Sequence, residues 1–213
     1  MMNKTEIGRQ IREYNSGPAE ALSCDKFGLE QIGGSRTKID GVGRKDGKKW
    51  SIKNTKSRST QVHLTTQKSF SEVFNLNENQ REFVSKFFGN TNFTDKHRQR
   101  YKMGEISPVA VQSFKDFLEN NKDKFVEYVV AGTDGIDFVA YNDDVLSFEQ
   151  IIELCGDAEW VYNPTAIHLK NKQGKTLFHL QMKGSGKGSM YHGVLCHIHE
   201  HLFKTNTNRI TNG

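Results

Sequence analysis

Gly33-Gly34-Ser35-Arg36-Thr37-Lys38-Ile39-Asp40, followed after a short turn by Lys49-Trp50-Ser51-Ile52-Lys53-Asn54, is the stretch whose reading decides the fold. Residues 36–43 read as extended, Lys45-Asp46-Gly47-Lys48 carries the Asp-Gly pair favoured at tight turns, and residues 50–54 return as the second arm of a hairpin. Strand side chains alternate between faces, so Ser51 and Lys53 point one way while Trp50 and Ile52 point the other. Antiparallel pairing then brings Asp40 beside the first face, where a carboxylate, a hydroxyl and an ammonium group meet. Such a set suits phosphodiester hydrolysis. A hard cation such as Mg²⁺ takes carboxylate, carbonyl, water and phosphate oxygens. It polarises the scissile phosphate, while a lysine orients or deprotonates the attacking water. Asp40 is the expected metal ligand and the Ile52 carbonyl the second; spacing alone also leaves an ordinary exposed hairpin open.

The text GGSRTKID, then SIKNTKSRS, resembles the catalytic stretch of MspI-type restriction endonucleases, members of the PD-(D/E)XK nuclease superfamily. The resemblance is specific over this stretch and extends by order and character to the helical middle and to the terminal segment LFHLQMKGSGKGSMYHGVLCHIH. It implies that Asp40 is the metal-binding aspartate and Lys53 the catalytic lysine. Ser51 falls where the superfamily usually carries Asp or Glu, so it is expected to act on the Mg²⁺ through a water or not at all. Glu30 and Glu20, on a helix expected to run into the hairpin, are candidates for the missing carboxylate. The implied fold is α/β: a restriction-endonuclease-like core with a central mixed β-sheet flanked by helices and a C-terminal antiparallel β segment. The implied substrate is double-stranded DNA cut at a short specific site, GC-rich tetranucleotides first, leaving a 5′-phosphate. A cognate DNA methyltransferase is the implied genetic partner.

Outward from the hairpin, residues 4–14 have helical spacing, and residues 18–31 read as a second helix opened by Pro18 and ended by Gly33-Gly34. After a polar connection, residues 65–74 and 77–88 are expected to be helical and to offer Phe70, Phe74, Phe83, Phe87 and Phe88 to the core. Ser107-Pro108 opens a helix through about residue 119, and another follows to about residue 130. Residues 136–141 read as a strand, residues 147–154 as a helix capped by Ser147. Strands are expected at 166–170, 176–183 and 193–201, with a basic Gly/Ser loop between the last two.

The chain has 213 residues, three prolines and 14 phenylalanines, and nothing in its middle reads as a linker, so one domain over 1–213 is expected. Its net charge of +5 tilts the reading towards an anionic partner. No apolar run approaches the roughly 18–20 residues that would span a bilayer. Three widely spaced cysteines and an N-terminal stretch without a secretory pattern suit a cytoplasmic protein with reduced thiols.

DNA contacts are expected from Lys38, Asn54, Lys56, Ser57, Arg58, Ser59 and Gln61, which mix cations with short polar groups beside the hairpin. A second set is expected from Gln181, Lys183, Ser185 and Lys187, on a donor-rich strand face and the loop beside it; a solvated sheet face remains the alternative. The run KHRQRYK, residues 96–102, is a basic surface that can grip phosphates. His197, His199 and His201 would lie on one strand face, near 7 Å apart, which is poor geometry for a single zinc ion. Two other functions stay open: a repair, phage or mobile-element nuclease on the same core, and a basic DNA-binding module without catalysis. Oligomeric state stays open too.

Overall fold

A computed structural model of the protein describes residues 18–32, 38–88, 101–182 and 193–204. The expected helix over residues 4–14, most of the basic run 96–102, and Lys183, Ser185 and Lys187 lie outside the described residues. In chain order the elements are α1 (Pro18–Lys26), β1 (Leu29–Gln31), β2 (Gly41–Gly43), β3 (Lys49–Lys53) and β4 (Ser59–Thr66). There follow α2 (Gln67–Val73), α3 (Glu78–Phe87), α4 (Pro108–Asn120), α5 (Lys122–Val130), β5 (Phe138–Tyr141) and β6 (Asp144–Ser147). The chain continues with α6 (Phe148–Gly156), β7 (Glu159–Tyr162), β8 (Ala166–Lys170), β9 (Thr176–Met182), β10 (Gly193–His199) and α7 (Glu200–Lys204).

The architecture is mixed α/β. One sheet has the order β1-β2-β3-β5-β6, the other β4-β10-β9-β8-β7. The first is mixed: β3 and β5 run parallel, with Ser51 beside Val139 and Lys53 beside Tyr141, and its other pairs are antiparallel. A parallel pair needs a long crossover, here supplied by β4 and the helices α2 to α5. The second sheet is antiparallel throughout. The hairpin turn is the expected one: Gly47 adopts φ +68°, and the Asp46 carboxylate accepts the Lys48 N–H at 3.1 Å.

Four expectations are corrected. The helix from residue 18 stops at Lys26 because Gly28 turns the chain at φ +68°, so Glu30 stands on strand β1 rather than on a helix. The segment read as a polar connection, with the first two residues of the helix expected from residue 65, forms the eight-residue strand β4, and the helix starts at Gln67. That strand lies at the sheet edge against β10 alone, so its side chains needed no apolar run to mark it. Strands β6 and β7, four residues each, were not among the expected elements; they pair with β5 and β8. The last strand ends at His199, and His201 sits in α7.

Helix starts follow their caps. Asn77 and Gln80 form a reciprocal capping box at α3, as Ser147 and Gln150 do at α6. Phenylalanines from four helices make the centre of the main core: Phe83 stacks on Phe114 at 4.4 Å, and Phe70 packs against Phe74, Phe117 and Phe125. The same cluster reaches the inner face of the second sheet through Ile167, Leu169, Phe178, Leu180, Cys196 and Ile198. A smaller cluster of Cys24, Leu29, Ile52 and Ala140 underlies the hairpin. Phe114 is fully buried, so Phe114→Ala is expected to lower unfolding free energy by about 3–5 kcal/mol in urea titration. A loss below about 1 kcal/mol would show that this aromatic packing does not hold the core together.

Candidate active site

Strand β3 is flanked by β2 on one side and β5 on the other, but β2 pairs with it only through Gly41 and Val42. Beyond Gly41 the backbone still hydrogen-bonds once more, Asp40 N–H donating to the Trp50 carbonyl at 2.8 Å. The ladder then runs out, and a side chain completes it. The Ile52 N–H donates to Asp40 Oδ2 at 2.6 Å, where a strand carbonyl would otherwise stand. Asp40 itself is fixed from the other side, since Ile32 N–H donates to its carbonyl at 3.0 Å and Cys24 Sγ approaches the same oxygen at 3.8 Å.

Two more donors converge on that carboxylate oxygen. Ser51 Oγ donates to Asp40 Oδ2 at 3.1 Å, and Lys53 Nζ donates to it at 3.1 Å. Lys53 Nζ also reaches the Ile52 carbonyl at 3.2 Å. The four groups singled out in the hairpin therefore meet at one point of the sheet: the Asp40 carboxylate, the Ser51 hydroxyl, the Ile52 carbonyl and the Lys53 ammonium. Asp40 and Lys53 are each 20% exposed, so the pair is sheltered yet reachable from solvent. Ser51, at 2%, is the buried polar residue among those described, and the Asp40 carboxylate satisfies it.

Glu30 does not join this group. The β1–β2 register sets it opposite Val42, two residues along from Asp40, with its side chain exposed. Lys38 turns inward: its Nζ donates to the Val62 carbonyl at 3.3 Å and to the Val129 carbonyl, and its N–H donates to Asp134 Oδ2 at 2.9 Å. Burial pushes the Lys38 ammonium down to a pKa of about 8.

The loop leaving β3 is exposed and held from below. The buried Tyr141 donates its hydroxyl proton to the Ser57 carbonyl at 2.8 Å, and the Asn142 side chain accepts the Thr55 N–H at 3.0 Å. Lys56, Ser57 and Arg58 face solvent, while Asn54, also exposed, exchanges hydrogen bonds with Ser23. Arg58 lies 4.0 Å from Glu200, a loose contact that leaves its side chain 86% exposed. Ser59 opens β4, and Gln61 follows on it opposite His197. Neither Tyr141 nor Asn142 was singled out in sequence; their signal, a strand end beside the loop, exists only once β5 lies parallel to β3.

Strand registers also assemble a row that the sequence spreads over thirty residues. His168, His179 and His197 lie directly side by side on β8, β9 and β10. His179 stacks on His197 at 4.6 Å and on His168 at 5.6 Å, and its Nδ1 lies 2.6 Å from His199 Nε2. Gln181 Nε2 lies 3.3 Å from His197 Nε2. Among the described residues no three His, Cys, Asp or Glu side chains form a metal-holding group, either here or at Asp40. Burial first, then the neighbouring imidazoles, pushes His179 down to a pKa of about 3 and His199 to about 4. Burial also lowers His168 and His197.

These imidazoles are therefore neutral in the fold, whereas an unfolded histidine titrates near about 6.5. Below that pH the unfolded chain gains protons the fold refuses, so stability is retained above pH ~6.5 and lost as pH falls towards 4. Urea unfolding between pH 7.5 and 5 is expected to show this loss, and His179→Phe to flatten it. An identical slope in the two proteins would remove His179 as its source. No protein-family model matches the chain and no curated protein matches it, so the geometry around Asp40 is what the functional reading rests on.

Proposed function

We propose that the protein is a Mg²⁺-dependent endonuclease acting on double-stranded DNA, a restriction enzyme on the PD-(D/E)XK core that cuts at a short specific site. The observation that carries this reading is the meeting of Asp40, Ser51, the Ile52 carbonyl and Lys53 at one point of a strand. Their order along the hairpin is the one the resemblance to MspI-type enzymes requires.

The donor set fits the ion. Asp40 Oδ1, the Ile52 carbonyl and the Ser51 hydroxyl are hard oxygens, and Mg²⁺ takes few protein ligands while keeping several waters. When bound, Mg²⁺ would supply charge neutralisation at the phosphate and a more acidic water. Lys53 is held between two oxygens, and an ammonium has three donors, so one proton remains to orient the attacking water or a phosphate oxygen. Ser51 keeps the Asp40 carboxylate turned towards β3. The exposed loop with Asn54, Lys56, Ser57, Arg58 and Ser59, and Gln61 beyond it, would follow the DNA backbone and reach base edges. Gln181, with Lys183, Ser185 and Lys187 after it, would contribute a second set. Cys24, Cys155 and Cys196 are buried thiols not joined in disulfides, in keeping with work in a reducing cytoplasm beside a cognate DNA methyltransferase. A repair, phage or mobile-element nuclease would use the same centre on other DNA; a neighbouring methyltransferase gene favours restriction.

One observation favours a second reading, a basic DNA-binding module without catalysis. All three donors fall on a single Asp40 oxygen, which is enough to seal the end of the β3 ladder. Plasmid incubated with purified protein and Mg²⁺ decides between them. Discrete fragments with a common end sequence are expected, and Asp40→Ala or Lys53→Ala should slow cleavage on the order of a thousandfold with DNA affinity largely kept. Intact plasmid with tight DNA binding would establish the module instead.

Ser51 offers a gain-of-function test. Ser51→Asp adds a carboxylate where the superfamily usually has one, and is expected to lower the half-saturating Mg²⁺ concentration by about tenfold. An unchanged Mg²⁺ requirement would place the metal away from this strand.

A further inference from the structure

The chain delivering Asp40 to β3 arrives through Lys38 and Ile39, and Lys38 is anchored twice. Its backbone N–H donates to the carboxylate of Asp134, in the turn that follows α5. Its side chain crosses to the last turn of α5, where Nζ donates to the Val129 carbonyl, and to β4, where it donates to the Val62 carbonyl at 3.3 Å. The final carbonyls of a helix lack intrahelical donors, and a cation there also meets the negative end of the helix dipole. The ammonium donates to main-chain carbonyls of two elements from different parts of the fold.

The surroundings are shaped around this side chain. Gly132 adopts φ +61°, and a Cβ there would stand 3.1 Å from both Cδ and Cε of Lys38. The backbone thus lies close against the lysine stem, in a left-handed conformation that favours glycine. One side chain joins the hairpin of the mixed sheet, a helix C-terminus and the edge strand of the antiparallel sheet, two residues before the carboxylate on which the proposed chemistry depends.

We propose that Lys38 is a positioning residue for the Asp40 centre. Resting on the nuclease reading above, it assigns Lys38 to the aim of the Asp40 carboxylate rather than to DNA contact. With the ammonium gone, the segment 38–40 loses its tie to α5 and β4, and the carboxylate no longer sits fixed on the Ile52 N–H. A misplacement near 1 Å at a reacting group can cost about a hundredfold in rate.

The test uses the full chain carrying Lys38→Met, which keeps an unbranched stem and removes the ammonium, and Lys38→Arg, which keeps the charge. Two readouts are taken: amide exchange at Ile52, whose N–H reports directly on Asp40, and cleavage kinetics with DNA affinity measured separately. For Lys38→Met, Ile52 exchange is expected to rise roughly tenfold or more while Val84 in α3 keeps its protection. The maximal cleavage rate should fall by about a hundredfold, with KM and DNA affinity within about twofold of the parent. Lys38→Arg should recover part of both effects, and it carries the same measurements if Lys38→Met does not fold. Unchanged Ile52 exchange overturns the proposal, as does a rise spread evenly across all protected amides. Weakened DNA binding with Ile52 undisturbed returns Lys38 to the DNA surface and equally overturns it. If the parent protein does not cut DNA, the nuclease reading fails on its own, and Ile52 exchange still decides whether Lys38 aims Asp40.

Discussion

A single carboxylate oxygen, Asp40 Oδ2, accepts a backbone N–H, a serine hydroxyl and a lysine ammonium. Hydrogen bonds to charged groups are each worth about 1.5–3 kcal/mol, so this is a strongly determined point in the fold. Everything chemically notable about the hairpin follows from it. The ladder between β2 and β3 would leave the Ile52 N–H open on that side, and the aspartate closes it. Closing it brings the Ile52 carbonyl, which points to the same side of the strand, within reach of Lys53.

That point needs a rigid base, which the rest of the chain supplies in layers. Below β3 lies the small cluster of Cys24, Leu29, Ile52 and Ala140; beyond it the parallel partner β5 hands over Tyr141 and Asn142 to shape the exposed loop. The phenylalanine core of α2 to α5 forms the crossover between β3 and β5, so its packing sets where those two strands meet. The arrangement has a division of labour grounded in solvation. Exposed cations on the 54–58 loop keep their hydration, whereas Lys38 has given up water for two carbonyls.

The second sheet obeys another constraint. Its inner face is apolar and fully packed; its outer face lines up imidazoles because antiparallel registers place every second residue of three strands side by side. Half-burial keeps those rings neutral, since a charge on one would face its neighbours without enough water to screen it. Neutral rings can stack, and they do, with His179 at the centre of the group.

Local information determined much of this protein. The Asp-Gly turn and alternation along Trp50-Ser51-Ile52-Lys53 were sufficient to read the hairpin and to pick Asp40, Ser51 and Lys53 as one group, because a β-ribbon converts sequence spacing directly into facing side chains. The capped helix at Ser147 and the strands 166–170 and 176–182 were legible for similar local reasons. What escaped depends on contacts between distant segments. Glu30 left its expected helix because Gly28 reversed the chain, β4 became a strand only by pairing with β10, and His201 passed into α7 as the last strand ended. Lys38 reads in the sequence as one more exposed basic residue near the hairpin, and only the packing of α5 and β4 around it turned its ammonium inward. Periodicity and turn chemistry act over a few residues and are written in the sequence; strand partners, helix ends and the burial of a charge are decided when segments a hundred residues apart compete for the same hydrogen bonds.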